Sequence, residues 1–241
     1  MSSKKFAILG DVHSNLEALN AVLDDARAQG VNHFGCVGDV VGYNANPAEC
    51  LAIIRDLNCA CVIGNHDHYC IHSASLHDFH PMAADVVNWT RSHLGPTDVE
   101  YLRSLNFVRV TSGFTLVHST LDMPDKWGYV FDELEAESNF NYQSSTVCFH
   151  GHTHQPVVFE KMNGVKRSEA NTVKVALGRK YFINVGSVGQ PRDGNPRASY
   201  AIYDLDKREI VFRRVEYDIR AAQEKILKAG LPPRLAQRLA Q

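Results

Sequence analysis

No apolar run in this sequence approaches the ~20 residues that a bilayer-spanning helix needs, no two cysteines are spaced Cys-x-x-Cys, and neither sign of charge dominates. The first absence excludes a transmembrane segment. The start, MSSKKFAILGD, carries no long apolar stretch or cleavage signal either, so a cytoplasmic protein is expected. The cysteines at 36, 50, 59, 61, 70 and 148 fit a reduced compartment. Only Cys59 and Cys61, in the strand-like CACVIG, share a face in a way that could bind zinc, and without a second pair they read as small buried thiols. A net charge of -2 and a pI near 6.6 give no general attraction to nucleic acid or an anionic membrane, so any phosphate binding must be local. Internal repeats and low-complexity linkers are missing as well.

What is present suits one α/β domain spanning 1–241: 44% hydrophobic and 22% charged residues, enough to bury a substantial core. Short apolar runs end in polar or glycine-rich turns at FAILGDVH, FGCVGDVVG, CACVIGNHD, FTLVHST, TVCFHGHTH and YFINVGS, and read as strands with function at their C-terminal ends. Between the first two, Leu16, Leu19, Val22, Leu23 and Ala26 fall on one helical face, with Gly30 as the stop; NPAECLAIIRDLN repeats the alternation. Strand-helix-strand alternation connects parallel strands. Residues from about 70 to 108 read as a helical insertion, which suggests a cap over something small. The β-rich segments after 156 read as a second sheet built largely from hairpins, and about 219–241 as a helical tail broken at Gly230. The tail is expected to pack on the core, and an oligomer is left open.

Asp11 and His13 leave the first strand, Asp39 the second, Asn65 and His66 the third, His118 the fourth, and His152 and His154 the fifth. A single Asp-x-His turn is commonplace. Five strand ends that all offer oxygen or imidazole donors point to a metal site. Gly10, Gly38, Gly64 and Gly151 each precede one of these residues, where the backbone must turn sharply close to the ions.

The ordered set GDVH, GDVVGY, GNHD, VH and GHTH resembles the calcineurin-like metallophosphoesterases over about residues 6 to 205, and GDVVGYNANPAEC and NVGSVGQPRDG resemble their small bacterial and archaeal phosphodiesterase or diadenosine tetraphosphatase-like branch. The resemblance implies an α/β/β/α sandwich of two mixed sheets with two metals at the strand C-terminal ends. One metal would be held by Asp11, His13, Asp39 and His154, the other by Asp39, Asn65, His118 and His152. His66 would be the catalytic residue at the leaving-group oxygen, oriented by Asp39 or Asp67. Imidazole with carboxylate suits Mn, Fe, Zn, Co or Ni better than calcium, with manganese favoured. Two divalent ions against Asp11 and Asp39 leave an electropositive site for phosphate oxygens, and a hydroxide shared by the ions would attack phosphorus.

Two positions depart from the family pattern: Ser119 stands where glycine usually follows His118, and NVGS where NPGS is common. Arg192 could meet a second phosphate or pair with Asp193, and Tyr43 and Asn44 could line the pocket. His68, His72, His77 and His80 read as a polar loop at the mouth. The expectation is therefore a metal-dependent hydrolase of a small phosphomonoester or phosphodiester, a nucleotide such as a dinucleoside polyphosphate being one candidate. A phosphoprotein phosphatase is the first rival. A non-catalytic scaffold is the second, disfavoured because no ligand of the set is missing.

Overall fold

In Lys5–Leu9, β1, Ala7 and Leu9 point to one face and Ile8 to the other, and all three are fully buried. A strand with apolar residues on both faces requires a sheet covered on both sides. The computed structural model describes residues 4–72, 81–111 and 113–241. After β1 come α1 (Leu16–Ala28), β2 (His33–Cys36), α2 (Pro47–Asp56), β3 (Ala60–Cys61), α3 (Asn65–Ile71), α4 (Pro81–Ser92) and α5 (Pro96–Ser104). The chain continues with β4 (Val108–Val110), β5 (Thr115–Val117), a 3-10 turn at Pro124–Lys126, α6 (Glu133–Tyr142), β6 (Val147–His150), β7 (Val157–Lys161) and β8 (Val165–Ser168). It closes with β9 (Thr172–Lys174), β10 (Lys180–Asn184), β11 (Ala198–Asp204), β12 (Glu209–Val215), α7 (Ile219–Lys228) and α8 (Pro233–Arg238).

The strands form two mixed sheets, in the orders β3-β2-β1-β11-β12-β9 and β4-β5-β6-β10-β7-β8. In the first, β3, β2 and β1 are parallel, with Phe6 opposite His33 and Gly35 opposite Ala60; in the second, β5, β6 and β10 are parallel. Ile8, Leu116, Phe149, Ile183 and Ala201 meet between the sheets. The other face of the first sheet packs on α1, α2 and α5 through Leu19, Val22, Leu51, Ile54 and Leu102, and the outer face of the second on α6 through Ala136 and Phe140. This is the four-layer sandwich the sequence leads one to expect. Truncating a filler such as Phe149 or Leu116 to alanine should cost about 2–5 kcal/mol, because neither site can collapse.

Local signals set the helices. Asn15 caps α1, its side chain accepting from the Ala18 N–H, the predicted face of α1 is buried apart from the partly exposed Leu16, and Gly30 follows at φ 72°. One expectation fails. The late β segments do not form a sheet of their own: β7, β8 and β10 join β4, β5 and β6, whereas β9, β11 and β12 extend the sheet of β1. β11, buried along its whole length, lies antiparallel beside β1, with Phe6 opposite Tyr203. Alternation predicts a strand and its faces but not its neighbour.

Within the span read as an insertion, α5 contributes Leu102 to the core of the first helical layer, and α4 packs through Val86 and Trp89 on Ile226 and Leu235 of the tail helices. His77 and His80 lie outside the described residues.

Candidate metal centre

The parallel strands deliver their ends to one place. Asp11 and His13 follow β1, Asp39 follows β2, Asn65 and His66 open α3 beyond β3, His118 follows β5 directly, and His152 and His154 follow β6. Asp11, His13, Asp39, His152 and His154 have φ between 47° and 71°, left-handed values that residues other than glycine seldom adopt and that cluster where function holds them. Main-chain bonds fix the turns to one another: the Asp11 N–H donates to the Gly38 carbonyl at 3.0 Å, His13 to Asp39 at 2.9 Å, and Gly151 to His118 at 2.9 Å. Of the four glycines before donors, only Gly38 needs a left-handed backbone, at φ 90°. Gly64 and Gly151 are needed for close approach, since a Cβ there would run into the carboxylates of Asp39 and Asp11.

The donors converge. Ligand atoms of Asp11, His13 and His154 lie within 4.8 Å of one another, and so do those of Asp39, His118 and His152. Asn65 joins the second group, its Oδ1 3.1 Å from His118 Nε2. Asp39 lies between the groups, its Oδ2 3.6 Å from His13 Nε2 and 3.3 Å from His118 Nε2. The second nitrogen of each ring decides what the first can do. Nδ1 of His13, His118 and His154 faces the carbonyls of Val41, Val37 and Gln190 at 3.0, 2.8 and 2.6 Å, and His152 Nε2 faces the Trp127 carbonyl at 2.9 Å. A carbonyl only accepts, so each of those nitrogens carries the proton and the opposite nitrogen turns a lone pair inward.

The inward lone pairs face each other, His13 Nε2 3.1 Å from His154 Nε2 and His118 Nε2 3.2 Å from His152 Nδ1. Buried lone pairs so placed repel unless a cation lies among them. In the protein alone, burial opposes charge on His118, yet the carboxylates of Asp39 and Asp11 push it up to about 9. One such proton can serve only one of the three acceptors around it, Asn65 Oδ1, His152 Nδ1 and Asp39 Oδ2. A divalent ion can serve all three. Burial holds His13 and His154 well below the usual histidine value and His152 down to about 3, which keeps them neutral, as ligands must be. The donor set therefore fits divalent transition metals.

A sequence model of the calcineurin-like phosphoesterase superfamily domain matches residues 5–208. The chain belongs to that superfamily. It is 40% identical over 243 residues to the uncharacterised protein MJ0912 of Methanocaldococcus jannaschii, covering 99% of this chain and 98% of that one. Its structure superposes on a metallophosphoesterase from Sphaerobacter thermophilus with a TM-score of 0.90 at 40% identity, covering 99% of each chain. It matches hypothetical protein PH1004 from Pyrococcus horikoshii OT3 with a TM-score of 0.79 at 19% identity, over 98% and 97% of the two chains, a likeness of fold.

The remaining residues singled out in the sequence fall around this family centre. His66 is 7% exposed, edge-on to His13 at 4.8 Å between ring centroids and 4.3 Å from the Tyr43 ring. Asp67 does not orient it: that carboxylate accepts from the N–H groups of Val41 at 3.0 Å and Gly64 at 3.1 Å, while Asp39 Oδ1 accepts the His66 main-chain N–H at 2.8 Å. Arg192 does not pair with Asp193, which is bound by Arg214. Its guanidinium lies 5.5 Å over the Tyr43 ring, and its main-chain N–H meets the His154 carbonyl at 3.3 Å. Asn44 is a positioning residue, donating to the His13 carbonyl at 2.7 Å. Ser119 turns away, its hydroxyl 3.5 Å from the Pro124 carbonyl. Cys61 is buried in the helix-side core, and burial pushes the partly buried Cys59 thiol up to about 12. His68 packs on His72 at 4.1 Å and on Trp127 at 5.6 Å.

Sequence reasoning missed the supports. Asn184, fully buried at the end of β10, donates to the Gly151 carbonyl and to Thr153 Oγ1 at 3.0 Å, so it holds the turn that carries His152. Ser187 Oγ donates to the Asp11 carbonyl at 2.8 Å. Tyr129, half-exposed, stacks on His152 at 4.1 Å and 23°, and Phe131 stacks on Tyr129 at 5.6 Å and 6°. The NVGS motif hinted at the first two; nothing in WGYVF announces that it reaches the centre.

Proposed function

We propose that this chain is a binuclear metal-dependent phosphoesterase acting on a small phosphomonoester or phosphodiester, with Asp11, His13, Asp39 and His154 at one ion and Asp39, Asn65, His118 and His152 at the other. The observation that carries this reading is the inward lone pairs of four imidazoles whose outward nitrogens are committed to main-chain carbonyls. Mixed nitrogen and oxygen donors favour manganese, iron, zinc, cobalt or nickel, and we favour manganese. Bound ions would supply neutralising charge for the phosphoryl oxygens and a water acidified for in-line attack. The chain supplies the rest. Asp39, between the groups, fixes their separation. His66, beside His13 and Asp39, protonates the leaving oxygen; burial lowers its pKa in the protein alone, and an anionic ester beside the ring raises it again. Arg192 and Tyr43 form the wall against which the ester's remaining oxygens and leaving group lie. A nucleotide suits that wall. No described helix is long and apolar enough to cross a membrane, and the six free cysteines support a reducing, cytoplasmic setting.

The test is hydrolysis of p-nitrophenyl phosphate and bis-p-nitrophenyl phosphate by chelator-stripped protein reloaded with manganese, beside His66→Ala. Turnover only with metal, and a variant that keeps its ions but loses most of the rate, is the expected result. Metal binding without cleavage of any ester in a broad panel would turn the reading toward a binding protein.

A further inference from the structure

Three arginines at the mouth lack a carboxylate partner among the described residues, in contrast to Arg220 and Lys225 nearby on the tail. On α7, Arg220 is bound by Glu224 at 3.0 Å and Lys225 by Glu17. Arg192, Arg234 and Arg238 have no carboxylate within ion-pair distance among the described residues, and residues 225–241 contain no acidic side chain. Among the described residues the buried Arg192 Nε has no hydrogen-bond partner, and the side-chain bond of that guanidinium runs to Gln190 at 3.0 Å. Tyr43, beneath Arg192, packs against the apolar cluster of the tail helices that contains Leu235 and Leu239, so Arg192 and the tail share Tyr43 as a neighbour. Arg238 is half-buried there, and burial, with the neighbouring charges of Arg192 and Arg234, holds its guanidinium below the usual arginine value. Arg234 and Arg238 are four apart on α8 and share a face. Arg192 and Arg238 are thus half-buried without a counter-ion, and Arg234 stands exposed one turn from Arg238, the set running outward from His154. Like charges so placed repel, and an anion between them removes the penalty.

We propose that Arg238, with Arg234 and Arg192, forms a second phosphate subsite beside the donor cluster, and that the substrate is a phosphoric ester or anhydride whose leaving group carries a further phosphate, as when the anhydride of a nucleoside diphosphate or dinucleoside polyphosphate is cleaved. This rests on the phosphoesterase reading, since the first phosphate is taken to lie at the donor cluster. It makes α8, far from the five motifs in sequence, part of the site. Guanidinium forks suit the paired oxygens of a phosphate better than lysine would.

The probes are adenosine 5′-monophosphate and its non-hydrolysable α,β-methylene diphosphate analogue, which differ only in the second phosphate. Their binding to the manganese-loaded full chain is measured by calorimetry at fixed free manganese, for the native protein, Arg238→Gln, Arg238→Lys, Arg234→Gln/Arg238→Gln and Arg220→Gln, with thermal melts for folding. We expect the diphosphate to bind at least about tenfold more tightly than the monophosphate, each good charge-assisted contact accounting for about a factor of ten. Arg238→Gln should cut that ratio several-fold, Arg238→Lys should restore part of it, the double variant should bring it close to one, and Arg220→Gln should leave it as in the native protein. No diphosphate preference in the native protein, or a ratio that survives the double variant, overturns the proposal. So does an equal weakening of both nucleotides. If p-nitrophenyl phosphate is hydrolysed but neither nucleotide binds, the subsite falls and the phosphoesterase stands; if the ratio depends on Arg238 but no ester is cleaved, the reverse holds.

Discussion

At the floor of the site Asp11, His13, Asp39, His118 and His154 are at most 2% exposed, and the outward nitrogen of each of these rings is bonded to a main-chain carbonyl. At the rim, Tyr43, Arg192 and Arg238 are half-buried and Tyr129 is 50% exposed, and the buried Arg192 Nε has no hydrogen-bond partner among the described residues. The floor is over-determined: its turns are bonded to one another, each imidazole is held by its second nitrogen, and the carboxylates of Asp11 and Asp39 are approached closely by Gly151 and Gly64. The rim is under-satisfied. A floor of this kind fixes what chemistry is available, whereas a rim with unspent charge selects what is brought to it.

Breaking the floor should have the largest effect. Asp39→Asn removes the charge between the two donor groups, and we expect kcat/KM for p-nitrophenyl phosphate to fall by more than about 10³-fold, together with loss of bound metal read by mass spectrometry. His66→Gln should cost about 10²- to 10⁴-fold in kcat while both ions stay bound, which separates proton transfer from metal binding. Asn184→Ala leaves the donors intact but loosens the turn under His152; about 10- to 100-fold weaker manganese binding is expected, with nearly normal turnover at saturating metal. The rim should respond least. Tyr129→Ala removes a ring stacked on His152, worth about 0.5–1.5 kcal/mol, and should raise KM several-fold without displacing metal. A Tyr129 effect as large as that of Asp39 would erase the distinction between the two regions.

The same contrast governs how much of the molecule is legible in its sequence. The donors of the floor stand within a few residues of strand ends, so Asp11, His13, Asp39, Asn65, His66, His118, His152 and His154 could be picked out from turns alone, and parallel pairing then gathers them. The helix face Leu19, Val22, Leu23 and Ala26 was equally plain. Strand neighbours were not: β11 looks like any late hairpin strand, and it pairs with β1 because a buried, two-faced strand needs a covered sheet, which no local pattern states. The rim is drawn from residues 43, 127–131, 192 and 234–238, and its members meet only through tertiary packing such as Tyr43 against α8. Asn184 stood in the NVGS motif, but its role did not show there, since its value lies in the Gly151 carbonyl it holds. Ser119, which departs from the family pattern, is absorbed by the neighbouring loop.

The most direct test of the floor is a count of bound metal. Chelator-stripped protein re-equilibrated with manganese and freed of excess by gel filtration should retain two ions per chain, His118→Ala should retain one, and reloading should raise the melting temperature of the native protein by several degrees. Retention of no manganese, or of the same amount by His118→Ala as by the native chain, would contradict the account of two donor groups joined through Asp39.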